Sequence, residues 1–309
     1  MNGVLLLDKP TGITSNAAIQ RVKRLFAAQK AGHVGTLDPM ASGLLPVCLG
    51  EATKFSTDLF SADKSYEAEV LLGVTTDTGD CEGAVTSRRD VNVTRGQVAA
   101  ILEKFTGELA QTPPMYSALK RDGKPLYEYA RAGVTVERVP RSITIHSIAL
   151  LAFAADRFTI NVSCTKGTYI RVLAEDIGAA LGCGATLAGL RRARVGGFDL
   201  SQAVTLATLE QLPEAQRTGR LLPVDCLASV SPAMALDADS MARILLGQAA
   251  QMEPRAGIEG LVRLYGPEGR FLGLGALDSG GRLVPKRLVA TPKAAAPARD
   301  DLPQSPKNA

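Results

Sequence analysis

Near its start the chain runs Gly-Val-Leu-Leu-Leu-Asp-Lys over residues 3–9, a short apolar stretch closed by Pro10, Thr11 and Gly12. A continuous apolar run of that length with turn residues behind it predicts a buried strand. The period then changes. From Ser15 to Ala27 the apolar residues Ile19, Val22 and Phe26 recur at helical spacing, with Ser15 as the expected cap and Arg21, Lys23 and Arg24 on the other faces. Residues 65–74 return to strict alternation, which puts Tyr66, Ala68, Val70 and Leu72 on one side of a strand. Thr94-Arg95-Gly96-Gln97 has the form of a capping box opening a helix whose stripe is Val98, Ile101, Leu102 and Phe105. Residues 142–154 and 157–165 read as a β-hairpin, and residues 169–182 as an amphipathic helix with the stripe Ile170, Leu173, Ala174, Ile177 and Leu181.

Two stretches break this regularity. Residues 111–142 are proline-rich, basic and without a clean period, and predict a long functional or mobile excursion. The pattern breaks again around Leu222–Asp225, and beyond it a helix at 239–249 precedes three short glycine-punctuated strands. The expected division is therefore a domain over 1–226 carrying the 111–142 insertion, a small mostly-β domain over 227–290, and an Ala/Pro-rich disordered tail over 291–309.

Composition narrows the function without naming it. With 309 residues, 46% of them hydrophobic and 21% charged, the chain can bury a sizeable core, and its net charge of +4 is too mild to argue for nucleic acid by itself. Five scattered cysteines without a C-x-x-C pair and only two histidines, His33 and His146, predict neither a disulfide framework nor a metal centre. The stretch MNGVLLLDKP has no basic leader, and its apolar run is too short for a signal or membrane segment, so the expected location is the cytoplasm. Phosphate-loop, nucleophile-elbow, zincin and dinucleotide signatures are all missing, which argues against ATP hydrolysis, serine hydrolysis and nicotinamide chemistry.

What remains is one carboxylate. In GHVGTLDPMASGLLP, residues 32–46, Asp38 is the sole acidic residue. Pro39 biases its backbone to an extended conformation, and Gly35 and Gly43 allow turns or close backbone approach on either side. Leu37, Met40, Leu44 and Leu45 would form apolar walls, a setting in which a charged carboxylate is costly without a partner. Such a group can serve as nucleophile or base, or more plainly as a turn-forming aspartate.

GHVGTLDPMASGLLPVCLGEATK (32–54) resembles the catalytic motif of the bacterial tRNA pseudouridine-55 synthases, the TruB family. LDKPTGITS (7–15), KSYEAEVLLGVTTDTGDCEG (64–83), PPMYSALKRDGKPLYEYARAG (113–133), CTKGTYIRVLAEDIGAALGCGATLAGLRR (164–192) and LLPVD (221–225) resemble it in the same order and spacing. Val34, Met40 and Ser42 depart conservatively from the family's usual residues.

The resemblance implies an α+β fold: a mixed, mostly antiparallel sheet in the catalytic domain, a thumb formed by 111–142, and a PUA-like C-terminal domain. It also implies isomerisation of uridine 55 to pseudouridine in the tRNA T-loop without cofactor, metal or guide RNA, with an accompanying tRNA-folding role, in a chain expected to be monomeric. By position, Asp38 is the catalytic aspartate, Arg171 the arginine that pairs with it, and Tyr66 the tyrosine that stacks on the flipped base. His33 matches the histidine that fills the space the base leaves, Asp80 an acidic position at the pocket mouth, and Leu190 an apolar pocket residue. Lys9 either supports the catalytic loop or touches RNA, and Lys166 either meets phosphate or is solvated. Lys120, Arg121, Lys124, Arg131, Arg138 and Arg141 of the insertion are candidate phosphate contacts. Arg21, Lys23, Arg24, Lys30, Arg191, Arg192 and Arg194 are further candidates.

Overall fold

The computed structural model describes residues 1–253 and 257–290, so the tail expected over 291–309 lies outside the described residues. The chain divides between Ser229 and Val230 into two units.

The first unit opens with β1 (Gly3–Lys9), α1 (Ser15–Leu25), β2 (Ala31–His33), β3 (Ala41–Leu49), α2 (Thr57–Phe60) and β4 (Lys64–Leu72). A small hairpin, β5 (Val74–Thr76) with β6 (Val85–Arg88), leads to α3 (Arg95–Lys104) and β7 (Gly107–Gln111). After it come a second hairpin, β8 (Lys120–Arg121) with β9 (Lys124–Pro125), and α4 (Leu126–Arg131). The unit then runs through β10 (Arg141–Phe153), β11 (Arg157–Cys164), α5 (Ile170–Ala180), β12 (Ala185–Val195), β13 (Phe198–Asp199) and β14 (Val204–Thr205). It ends with α6 (Leu206–Gln211) and α7 (Glu214–Thr218) before the boundary.

Ten of these strands form one sheet with the path β14-β1-β3-β12-β4-β11-β10-β7, to which β2 adds on β3 and β13 on β12. Only β14–β1 and β3–β12 are parallel; the other pairings are antiparallel. The expected α+β fold on a mixed, mostly antiparallel sheet is therefore the fold of this chain. β1 and β3 are buried along nearly their whole length, as strands covered on both faces must be. β4 instead alternates, burying Tyr66, Ala68, Val70 and Leu72. Onto the sheet pack α3, through Val98 and Leu102, and α5, through Ile170, Leu173, Ala174 and Ile177. Each Val, Leu or Ile side chain so removed from water contributes about 1.5–3 kcal/mol.

Several local expectations need correction. The helix expected to Ala27 ends at Leu25, and its cap is Thr14, whose hydroxyl accepts from the Ala17 amide at 3.0 Å. Ser15 is unavailable as a cap because its hydroxyl is engaged elsewhere, at Leu37. The 111–142 excursion, without a clean period in sequence, contains the short β8–β9 hairpin and α4. Residues 185–195, which carry the candidate phosphate contacts Arg191, Arg192 and Arg194, form β12 between β3 and β4.

That insertion sets up one row of three residues across the sheet. Arg192 on β12 is the register partner of Gly43 on β3 and of Tyr66 on β4, and a register irregularity follows before Arg194. Gly43 has φ +101°, and a Cβ there would lie 2.4 Å from the Arg192 carbonyl oxygen, so only glycine permits this approach.

The second unit is a five-stranded sheet of order β15 (Ala233–Ala235), β17 (Gly260–Tyr265), β18 (Phe271–Leu277), β19 (Arg282–Leu288) and β16 (Ala250–Gln251). The helix α8 (Ala238–Leu245), shorter than the expected 239–249, is capped by Asp237, which accepts from the Ser240 amide at 2.7 Å. Its core gathers Met234, Leu236, Ile244, Val262, Leu264 and Leu283.

Candidate active site

Asp38 stands on the irregular loop between β2 and β3, and that loop is tied down at nearly every residue. The Val34 amide donates to Pro46 at 3.0 Å, and the Gly12 amide donates to the Pro39 carbonyl at 2.8 Å. The buried Ser15 hydroxyl accepts from the Leu37 amide at 2.8 Å and donates to the Leu37 carbonyl at 2.9 Å. Ser15 thus satisfies both backbone groups of the residue immediately before Asp38. The apolar walls lie behind the loop: Leu37, Leu44 and Leu45 are buried, whereas the Asp38 side chain keeps 40% of its surface exposed. The carboxylate therefore faces a partly open space, not the closed apolar setting expected from its neighbours.

Its partner is Arg171, the second residue of α5, with a side chain only 7% exposed. Arg171 Nε lies 3.1 Å from Asp38 Oδ2 and 3.6 Å from Asp80 Oδ2. The rest of the guanidinium is spent on backbone: Nη1 donates to Thr78 O and Nη2 to Tyr116 O, each at 2.7 Å. The fork geometry of arginine allows this, and a lysine could not reproduce it. Asp80 is buried and held in turn, its Oδ1 accepting from Thr78 Oγ1 at 2.7 Å and from the Glu82 amide at 3.1 Å. Asp80 therefore orients Arg171 from inside the fold, not from the pocket mouth. The Tyr116 contact brings the base of the 111–142 segment to the same guanidinium.

Tyr66 is buried on β4, where burial pushes its phenol up while the positive charge of nearby Arg192 opposes that shift; Asp38 is close enough to add to it. Leu190 is half-buried, in register between Ala41 and Ala68. His33 ends β2; burial first, and then Arg192, hold its imidazole below the usual value, so it is neutral at pH 7, and its buried Nδ1 has no hydrogen-bond partner. Lys9 is wholly buried, with Nζ donating to Pro10 O and Ile13 O at 2.8 Å each. Of its two alternatives the structure selects support of the fold: an amine with no exposed surface does not reach RNA phosphate. Burial pushes Lys9 down to about 8, against the pull of Asp38.

The same correction applies to Arg192, proposed from sequence as a surface cation but only 1% exposed. Arg191 is partly exposed and pairs with Asp8 at 2.8 Å. Tyr169, not singled out by sequence, caps α5 and lies close enough to Asp38, Arg141 and Arg171 to be influenced electrostatically by all three; burial raises its phenol. Gln111 pins its backbone, accepting from the Tyr169 amide at 2.7 Å and donating to its carbonyl at 3.1 Å. Nothing in the local pattern around Tyr169 marks it, since its role depends on where α5 begins relative to β7.

Lys120, Arg121, Lys124, Arg131 and Arg141 are all exposed on the 111–142 segment. Arg121 donates to Glu137 O at 2.6 Å, while Lys124 and Arg131 lie over the rings of Tyr129 and Tyr127 at 4.8 and 5.3 Å. Arg121, Lys120, Arg138 and Arg141 line a cleft of about 340 Å³ there. Lys166 is separate, donating to Ser61 Oγ at 3.1 Å. A larger cleft of about 570 Å³ beside Arg88, Arg89 and Arg157 contains none of the candidate residues, so the side-chain constellation and not cavity size locates the site.

Residues 23–170 match the TruB family pseudouridylate synthase (N terminal domain). Residues 171–228 match the tRNA pseudouridylate synthase B C-terminal domain, and residues 232–289 match pseudouridine synthase II TruB, C-terminal. The chain is 57% identical over 291 residues to the tRNA pseudouridine synthase B of Aromatoleum aromaticum, covering 94% of each protein. It is 56% identical over 289 residues to the tRNA pseudouridine synthase B of Dechloromonas aromatica, covering 94% of this chain and 96% of that one. A chain in the crystal structure of a Cbf5-Nop10-Gar1 complex superposes with a TM-score of 0.66 at 28% identity, over 90% of this chain and 79% of that one. Fold and consecutive matches together define a pseudouridylate synthase, and the chain belongs to the TruB family.

Proposed function

We propose that this chain isomerises uridine to pseudouridine at position 55 in the T-loop of tRNA, with Asp38 as the catalytic carboxylate. The observation that carries this is the 3.1 Å pairing of Asp38 with an arginine whose other nitrogens are fixed by backbone carbonyls. A carboxylate so held, yet 40% exposed, is oriented toward whatever enters the space in front of it. The relatives named tRNA pseudouridine synthase B support tRNA as the substrate.

The reaction breaks the bond from the sugar carbon to N1 and joins the same carbon to C5; the C5 proton leaves and N1 gains one. Nothing external is consumed, so the chain is expected to need no cofactor. The base must leave its stack to be reached, at a cost of a few kcal/mol, and the Tyr66 ring, with Leu190 beside it, offers a replacement surface. His33, neutral and with an open Nδ1, suits insertion where the base departs. The exposed cations of 111–142 serve as phosphate contacts of a thumb, the second unit serves as a PUA-like RNA-binding domain, and Lys166 adds a further cation. The chain acts in the cytoplasm without guide RNA; no helix among the described residues is long and apolar enough to cross a membrane.

The test is tritium release from an unmodified tRNA transcript carrying 5-tritiated uridine, with no guide RNA or cofactor added. Wild type releases tritium, and a substrate with cytidine at position 55 gives none. Asp38→Asn is expected to lose about 10⁴-fold or more in rate while binding tRNA within about threefold of wild type. Turnover by a clean Asp38→Asn preparation contradicts the assignment. Tight binding without release by wild type would leave only an RNA-folding role.

A further inference from the structure

Among the described residues Arg192 is the largest fully buried side chain, and no carboxylate pairs with it there. A guanidinium stays charged in proteins, so this burial is costly unless its donors are matched. Two donors go to backbone: Nε donates to Leu44 O at 2.8 Å and Nη2 to Gly35 O at 2.9 Å, while the guanidinium also acts electrostatically on the Tyr66 hydroxyl. Gly35 lies in the Asp38 loop before the carboxylate, and Leu44 lies on β3 after it. Tyr66 is the direct register partner of Arg192 on β4, so the two side chains stand on one face of the sheet. The backbone is shaped around this residue: a Cβ on Gly35 would lie 3.0 Å from Arg192 Nη1, and one on Gly43 would meet the Arg192 backbone.

We propose that Arg192 is a positioning residue for the reaction: one buried guanidinium ties the Asp38 loop at Gly35 to β3 at Leu44 and stands beside Tyr66, its register partner on β4, setting the distance between the two groups that face the uridine. An arginine has no acceptor, so in any hydrogen bond between the two the Tyr66 oxygen is the receiving atom. This rests on the assignment of Asp38 and Tyr66 to the reaction proposed above.

The experiment is a double-variant cycle on the full chain, using single-turnover tritium release at saturating tRNA. Release by wild type establishes the proposed function first, so its failure is seen separately. Arg192→Lys is expected to lower the rate about 10- to 100-fold, the value of a hydrogen bond to a charged group, with the tRNA Kd within about twofold. In the Tyr66→Phe background the same substitution should cost clearly less, because the hydroxyl through which it acts is gone. Equal losses in both backgrounds, or a loss confined to Kd, overturn the proposal.

If Arg192→Lys does not fold, the wild-type chain decides. With ¹⁵N-labelled arginine, Tyr66→Phe should shift one guanidinium signal that exchanges slowly with water. An unchanged guanidinium spectrum overturns the proposal equally.

Discussion

Lys9, Lys64 and Arg192 lie beneath the Asp38 loop with almost no exposed surface. Their donors are met mainly by carbonyl oxygens: Lys9 by Pro10 and Ile13, Lys64 by Ala62 at 2.6 Å, Arg192 by Leu44 and Gly35. Carbonyls satisfy the donors but only partly replace hydration, so burial pushes Lys9 and Lys64 down to about 8 from 10.5. The unfolded chain keeps each of these protons to about 10.5, so between pH 8 and 10.5 it binds more protons than the folded chain, and this contribution makes stability rise with pH. Buried Cys48, held up to about 12 from 9.0, acts with the opposite sign above pH 9. The window for seeing the lysines is therefore pH 8 to 9. Urea unfolding of wild type and Lys64→Met should give a stability difference that shifts in favour of wild type across that window; a flat difference removes Lys64 from this account.

At the level of elements, the site is an agreement between one helix and one loop. Thr14 caps α1, which frees Ser15 to clamp Leu37 from both sides, and the first turn of α1 thereby sets the position of Asp38. Ser15→Ala keeps helix propensity and the Thr14 cap but leaves a buried N–H and C=O unmatched. It should destabilise the first unit by about 1–3 kcal/mol. In single-turnover assays the rate should fall more than tRNA affinity does, because the loop loosens while the basic face is untouched. An unchanged rate would show that the other loop bonds suffice. A similar dependence governs α5: its start is fixed by Gln111 on β7, and that start delivers both Tyr169 and Arg171 to the site.

Across the whole molecule, charge separates by environment. The cations of β12 and β1 that face inward organise the site, while those of 111–142 remain exposed and available to phosphate. Lys120→Ala should reduce the slope of log affinity against log salt by about one and leave the rate at saturating tRNA within about twofold. A slope equal to wild type would take Lys120 off the RNA-binding face. The sequence by itself determined the elements whose periodicity is local: β1, the boxed start of α3 at Thr94 and Gln97, the β10–β11 hairpin and the apolar stripe of α5. It also marked Asp38, because Pro39 restricts its backbone and the flanking glycines permit turns on either side wherever the loop is placed. Tertiary structure alone decided that Arg192 and Lys9 point inward, that Ser15 clamps a loop instead of capping its helix, and that Asp80 stands behind Arg171. The physical reason is common to all four: whether a polar side chain is buried depends on acceptors and donors supplied by strands and loops far along the chain, and local spacing carries no record of them.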